Sequence, residues 1–196
     1  MARLAKPTVV YHADWGSNEK KRWCARATLG SDGHYTAFAP ERVGNPASII
    51  ARPQNHAGET GCTFVGFDFP IGVPAFYANR AGISSFRTLL KRLGLRKWKD
   101  FYSVCDEPNH ISVRRPFYPN GAYEGRRKAD LFRGHGVSKL EPLLRRCERG
   151  GKGRKPACCL FWTLGGNQVG KAAIVGWRDV LAPALRRVPL LRRADD

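Results

Sequence analysis

The segment FVGFDFPIGVP, running from Phe64 to Pro74, sets the frame for everything around it. Phe64, Val65, Phe67 and Phe69 are apolar, Asp68 is the one carboxylate among them, and Pro70, Gly72 and Pro74 close the run. A short, nearly continuous apolar segment bounded by Gly and Pro predicts a buried central strand covered on both faces. An Asp where such a strand runs out is costly unless it finds a partner, a proton or a metal. Ligands of open α/β sheets bind at the carboxyl ends of strands, so Asp68 is the first candidate functional residue.

Upstream, TVVYHAD (residues 8–14) is a second β-rich run that also ends on an acid, Asp14. Arg22 to Leu29 alternates loosely, Ser31-Asp32-Gly33 marks a turn, and His34 to Ala39 completes a three-strand antiparallel meander. A helix is expected within Glu41 to Ala57, with Asn45 as N-cap, Pro46 in its first turn and Pro53 weakening its continuation. Phe76 to Arg96 reads as helical, broken near Gly82. Residues 96–157 are basic and poorly periodic, an expected insertion or lid with short helices near Leu140 to Cys147. LFWTL at 160–164 is a strand or buried turn, Val169 to Leu185 is a helix, and ALRRVPLLRRADD carries little structure. The expectation is one α/β domain over residues 1–196, with a mixed central sheet and no internal repeat.

The chain has 196 residues, 42% of them hydrophobic, enough for a sizeable core. No apolar run approaches the roughly 18 residues of a membrane span, and Pro7 and Asp14 interrupt any signal-like core, which predicts a soluble cytoplasmic protein without a membrane partner. The net charge of +18 has two readings: a nucleic-acid or phosphate-rich partner, or an Arg-rich composition without specific meaning. The six cysteines show no C-x-x-C pair or zinc spacing; Cys24 and Cys62 are expected as buried free thiols, and Cys158-Cys159 as core.

Asp14 and Asp68 stand at the ends of two predicted strands. If those strands are neighbours, the carboxylates converge at one edge and suit a hard divalent cation, Mg²⁺ or Mn²⁺. The alternative is structural: Asp14 capping a turn and Asp68 receiving backbone hydrogen bonds. Gln168 and Lys171 flank the glycine turn before a helix, where phosphate could bind, or Lys171 is a surface residue. Gly165 to Lys171 matches the G-x-x-x-x-G-K core of a P-loop, but Ala172 replaces the Ser or Thr that would meet Mg²⁺. Arg114, Arg115, Arg126, Arg127 and Lys128, interleaved with Phe117, Tyr118 and Tyr123, read either as a stacking-and-charge surface for single strands or as a solvated loop. His110 and His135 are expected to be solvated.

HADWGS at 12–17 and GFDFPIGVP at 66–74 resemble domain of unknown function 429, a family of predicted ribonuclease H-like nucleases. The family shows a Gly- or Ser-flanked Asp on its opening strand and a later D-x-P-[IL]-G-[LV]-P signature; Arg115-Pro116 and the Gln168 to Ile174 region match later elements more loosely. The resemblance spans residues 8–185, its specific motifs being the two around Asp14 and Asp68. It implies a ribonuclease H-like fold and a metal-dependent nuclease or phosphodiesterase acting on nucleic acid, with Asp14 and Asp68 as metal ligands. Such sites carry a third carboxylate on a late helix. Asp179 is the candidate for it, Asp195 and Asp196 lie in a tail, and the resemblance implies that the C-terminal part of the domain is missing. A non-catalytic nucleotide- or nucleic-acid-binding module, or an inactive truncated relative, is the alternative.

Overall fold

The structure is a computed structural model that describes residues 6–58, 61–121, 125–165 and 169–187. It divides into two compact units, residues 1–69 and 70–196.

The first unit is built on a five-stranded mixed sheet. Strands β1 (Val9–Asp14), β2 (Trp23–Leu29) and β3 (Tyr35–Ala37) form the antiparallel meander, and β4 (Glu41–Arg42) pairs with β2 beyond β3. The break between β3 and β4 has a local cause. Phe38 still donates to the Arg26 carbonyl and Val43 to that of Arg22, but Pro40 between them has no N–H to give the ladder. The chain then crosses through α1 (Arg52–Ala57) to β5 (Thr63–Phe67), which lies parallel to β1 on the side away from β2. The order is therefore β3-β2-β1-β5. Val9, Tyr11 and Ala13 point to the buried face of β1, the sheet being packed by α1, whereas His12 and Asp14 are exposed on the other.

The expectations for this unit are met in part and corrected in part. The segment Glu41 to Ala57 does contain helix, and Asn45 caps it with Pro46 in the first turn as expected, its side chain accepting from the Ala47 N–H; but it begins as a short strand and the helix comes in two pieces, a 3-10 turn (Pro46–Ser48) and then α1. Pro53 lies in the first turn of α1, where its missing N–H costs nothing, so it starts the helix rather than weakening it. Nor is β5 a buried central strand: among the described residues it is an edge strand paired only with β1, and Phe64 is 58% exposed. Cys62, just before it, is exposed rather than buried, while Cys24 on β2 is buried.

The second unit is helical and turn-rich. Helices α2 (Ala75–Ala81) and α3 (Phe86–Arg92) are separated at Gly82, which adopts the left-handed conformation as a C-cap, as expected from its position. Turns and α4 (Lys128–Gly134) fill the basic stretch, with 3-10 turns at Glu141–Leu143 and Arg146–Glu148 where short helices were expected. The last helical run comprises α5 (Val169–Gly176), a wider turn at Trp177–Leu181 and α6 (Ala182–Arg187), so the helix expected from Val169 to Leu185 runs on through Arg186 and Arg187. The wide turn, in which the Ala182 N–H reaches back to the Trp177 carbonyl, falls just before Pro183, a residue with no N–H for the regular ladder. The core is aromatic. Trp177, fully buried, stacks with Phe101 at 6.1 Å and donates its indole N–H to the Pro70 carbonyl at 2.7 Å, and Phe117 meets Phe161 edge-on at 5.5 Å. Cys159 belongs to this core and Cys158 is half-buried.

Candidate active site

Asp14 closes β1, and Asp68 follows β5 by one residue. Ala13 is registered with Phe67, and the Asp68 N–H reaches the Ala13 carbonyl at 3.3 Å, which carries the parallel pairing one step further. Parallel neighbours in register share a face, so Asp14 and Asp68 stand side by side at the carboxyl ends of β1 and β5.

The turn after Asp14 organises the pair. The backbone N–H of Trp15 donates to Oδ1 of Asp68 at 2.7 Å. Trp15 itself is buried, its ring edge-on to Phe67 at 6.0 Å and to Phe69 at 5.7 Å. Above that ring, at 4.5 Å, lies the guanidinium of Arg22, which is 1% exposed. Arg22 donates through Nε to the Gly16 carbonyl at 2.8 Å and through Nη2 to the Ser17 carbonyl at 3.4 Å, bracing the whole Trp15–Ser17 turn.

Electrostatically the pair is strained. Asp68 is exposed as a residue, yet surrounding atoms strip part of the water from its carboxyl, and this desolvation is the main cause that pushes its pKa up from the carboxylate range. The Trp15 N–H opposes that rise; hydrogen-bond contact with the Asp14 carboxyl and the like charge of Asp14 add to it. A partly desolvated carboxyl beside a second one favours a cation between them. The donor set is all oxygen, which fits Mg²⁺ or Mn²⁺ rather than a soft metal. Among the described residues, no group of three His, Cys, Asp or Glu side chains that could hold a metal ion is gathered.

The same register extends the site across the sheet. Asp14 is paired with Trp23 on β2, and Trp23 with Arg42 on β4, so Asp68, Asp14, Trp23 and Arg42 form one row. The Arg42 guanidinium lies over the Trp23 ring at 3.9 Å, and Trp23 is 39% exposed. Sequence reasoning singled out neither Trp15, Arg22, Trp23 nor Arg42. Only Trp15 carries a signal, its place within HADWGS.

The remaining candidates lie in the second unit. Asp179 is held by its neighbour, with Arg178 Nε 2.7 Å from Oδ1 and Nη2 3.2 Å from Oδ2. Lys171 is half-buried in the first turn of α5, and Gln168 lies outside the described residues, as do Tyr123, Asp195 and Asp196. The P-loop-like glycine Gly170 has a packing reason. A Cβ there would sit 2.6 Å from the Trp162 carbonyl oxygen, and its N–H already donates to that oxygen. The basic stacking surface loses its aromatic half, since Phe117 and Tyr118 are buried and serve the core. Arg115 donates to the Val104 carbonyl at 2.7 Å and Arg126 pairs with Glu107 at 3.4 Å, while Arg114, Arg127 and Lys128 are exposed. His135, expected in solvent, is buried instead. Its Nε2 meets the Pro116 carbonyl at 3.0 Å and its ring stacks on Phe161, and burial depresses its pKa to about 4. His110 is exposed, as expected.

Compared with family models, with curated proteins and with solved structures, the chain matches none.

Proposed function

We propose that the first unit carries the site of a divalent-metal-dependent phosphodiesterase of ribonuclease H-like type that acts on nucleic acid. The observation that carries this reading is the side-by-side placement of Asp14 and Asp68 at the carboxyl ends of neighbouring parallel strands, with Asp68 pushed up. Strand order supports it too. A three-strand antiparallel meander followed by a helical crossover to a strand parallel to the first is the opening of the fold that the HADWGS and GFDFPIGVP motifs resemble.

Asp14 and Asp68 would hold the cation, the Trp15 N–H keeping Asp68 turned toward Asp14. Mg²⁺ or Mn²⁺, when bound, supplies the Lewis acidity and charge neutralisation that phosphodiester cleavage requires. In the same row, Arg42 offers a guanidinium to a backbone phosphate and Trp23 a ring on which a base can stack, which positions a strand across the carboxylates.

The test is cleavage of single-stranded RNA and DNA with Mn²⁺ or Mg²⁺ by the wild type and by Asp14→Asn and Asp68→Asn. Each variant is expected to lose at least about 100-fold in rate, the scale of removing a group that stabilises transition-state charge. Activity that survives both substitutions would refute the assignment. A second reading, a nucleic-acid-binding module without hydrolysis, is favoured by the Trp23–Arg42 stack, which needs no metal; it predicts retention of oligonucleotide by both variants and cleavage by none.

A further inference from the structure

A separate feature lies within the second unit, where α3 gives way to the segment KRLGLRKWK, Lys91 to Lys99. The chain turns at Gly94 and Leu95 into a short 3-10 turn, Arg96–Trp98. The turn is firmly held. Gly94 donates to the Trp98 carbonyl at 3.0 Å, Leu95 to that of Arg92 at 3.1 Å and Trp98 to that of Leu95 at 2.8 Å. From α6, Arg186 donates to the carbonyls of Lys91 and Leu93. Arg96 has φ +46°, the one non-glycine among the described residues in the left-handed region, a conformation that persists only where the surroundings impose it.

Over this turn opens a cavity of about 620 Å³, lined by Lys91, Arg92, Leu95, Arg96, Lys97 and Trp98. Four of these six are cations and none is an acid. The ion pairs among the described residues involve none of the four. Uncompensated cations gathered on a rigid turn repel one another, and an anion that enters among them relieves that repulsion with little ordering cost. A smaller cavity of about 120 Å³ shares Arg92, Lys97 and Trp98 and adds Ser84, Ser85 and Thr88, residue types whose hydroxyls bind phosphate oxygens. The apolar part of the wall is Leu95, 47% exposed, beside Trp98, whose buried indole N–H has no partner among the described residues.

We propose that this cavity binds a nucleoside polyphosphate, its phosphate chain among Lys91, Arg92, Arg96 and Lys97 and its base against Leu95. Four cations exceed what one phosphate needs and match the charge of a di- or triphosphate. The volume lies within the range of about 300–1,000 Å³ usual for small-ligand sites. The site is independent of the carboxylate pair.

The experiment is calorimetric titration of the full chain with adenosine and guanosine triphosphates, adenosine monophosphate and a single-stranded oligonucleotide. EDTA is present throughout, so that no divalent cation engages Asp14 and Asp68. Arg92→Glu/Lys97→Glu reverses two exposed cations of the cavity, and Lys152→Glu/Lys155→Glu reverses two exposed ones that do not line it. Supporting results are triphosphate binding at least tenfold tighter than monophosphate, weakened at least tenfold by the cavity variant and less than twofold by the control. Equal losses in the two variants, equal affinities for mono- and triphosphate, no nucleotide binding, or binding of the oligonucleotide alone would each overturn the proposal.

Discussion

Trp15 serves the carboxylate pair through its backbone, while its ring is spent on packing: the N–H that orients Asp68 comes from a residue anchored between Phe67, Phe69 and the Arg22 guanidinium. Asn at position 68 keeps an oxygen for that N–H and removes the charge facing Asp14. In thermal melts Asp68→Asn is therefore expected to leave the stability unchanged or raise it by no more than about 1 kcal/mol, because the pair is open to solvent screening. A pronounced loss of stability would mean that the carboxylate is held for structure. The sign of the pH dependence follows from the raised pKa. Asp68 binds its proton more tightly folded than unfolded, so its contribution to stability is full below the ordinary carboxylate range and is lost as pH rises through the elevated value. Cation affinity runs the other way. Mn²⁺ titrations at successive pH values should show affinity falling as pH drops through the elevated Asp68 value, above the range of an ordinary Asp; a fall confined to the ordinary range would contradict the coupling. Arg22→Leu is expected to cost about 1–3 kcal/mol in denaturant melts, since it leaves the Gly16 and Ser17 carbonyls without their donor.

At the scale of elements, α5 is seated against the turn before it with no room to spare. A Cβ on Gly170 would lie 2.6 Å from the Trp162 carbonyl oxygen and 2.8 Å from that of Leu160. Gly170→Ala should destabilise the chain by about 1–3 kcal/mol, read from the shift of a urea midpoint at constant slope. A neutral result would show that α5 can move off the turn. The meander, the existence of a strand at β5 and the broken α2–α3 pair were legible in the sequence because each rests on local cues: alternation, Gly and Pro punctuation, and the cap at Gly82. The edge position of β5 was not, since an apolar run such as FVGF does not tell whether a second strand will pair with it. β4 escaped for the same reason: two residues after Pro40 become a strand only because Trp23 and Cys24 are there to pair with. Within the site, the two carboxylates were readable from their places at strand ends. Arg22 was not, because a buried arginine among 34 Lys and Arg residues has no local mark, and Trp23 and Arg42 enter the row through register alone.

For the molecule as a whole, the charge of +18 becomes a quantitative expectation. If oligonucleotide lies across the Trp23–Arg42 row, each phosphate neutralised should add roughly −0.7 to the slope of log affinity against log salt for single strands, and Arg42→Ala should reduce that slope by about one phosphate. An unchanged slope would place the contact elsewhere. Among the described residues no helix is long and apolar enough to cross a membrane. The carboxylate pair lies wholly within one unit and the cationic cavity wholly within the other, so each has its own readout. The most direct test of the central claim is calorimetric titration of Mn²⁺ into the wild type and into Asp68→Asn at neutral pH, each shown to be folded. Binding by the wild type that is lost in the variant is the predicted result; no binding by the wild type, or equal binding by both, would contradict a metal site at Asp14 and Asp68.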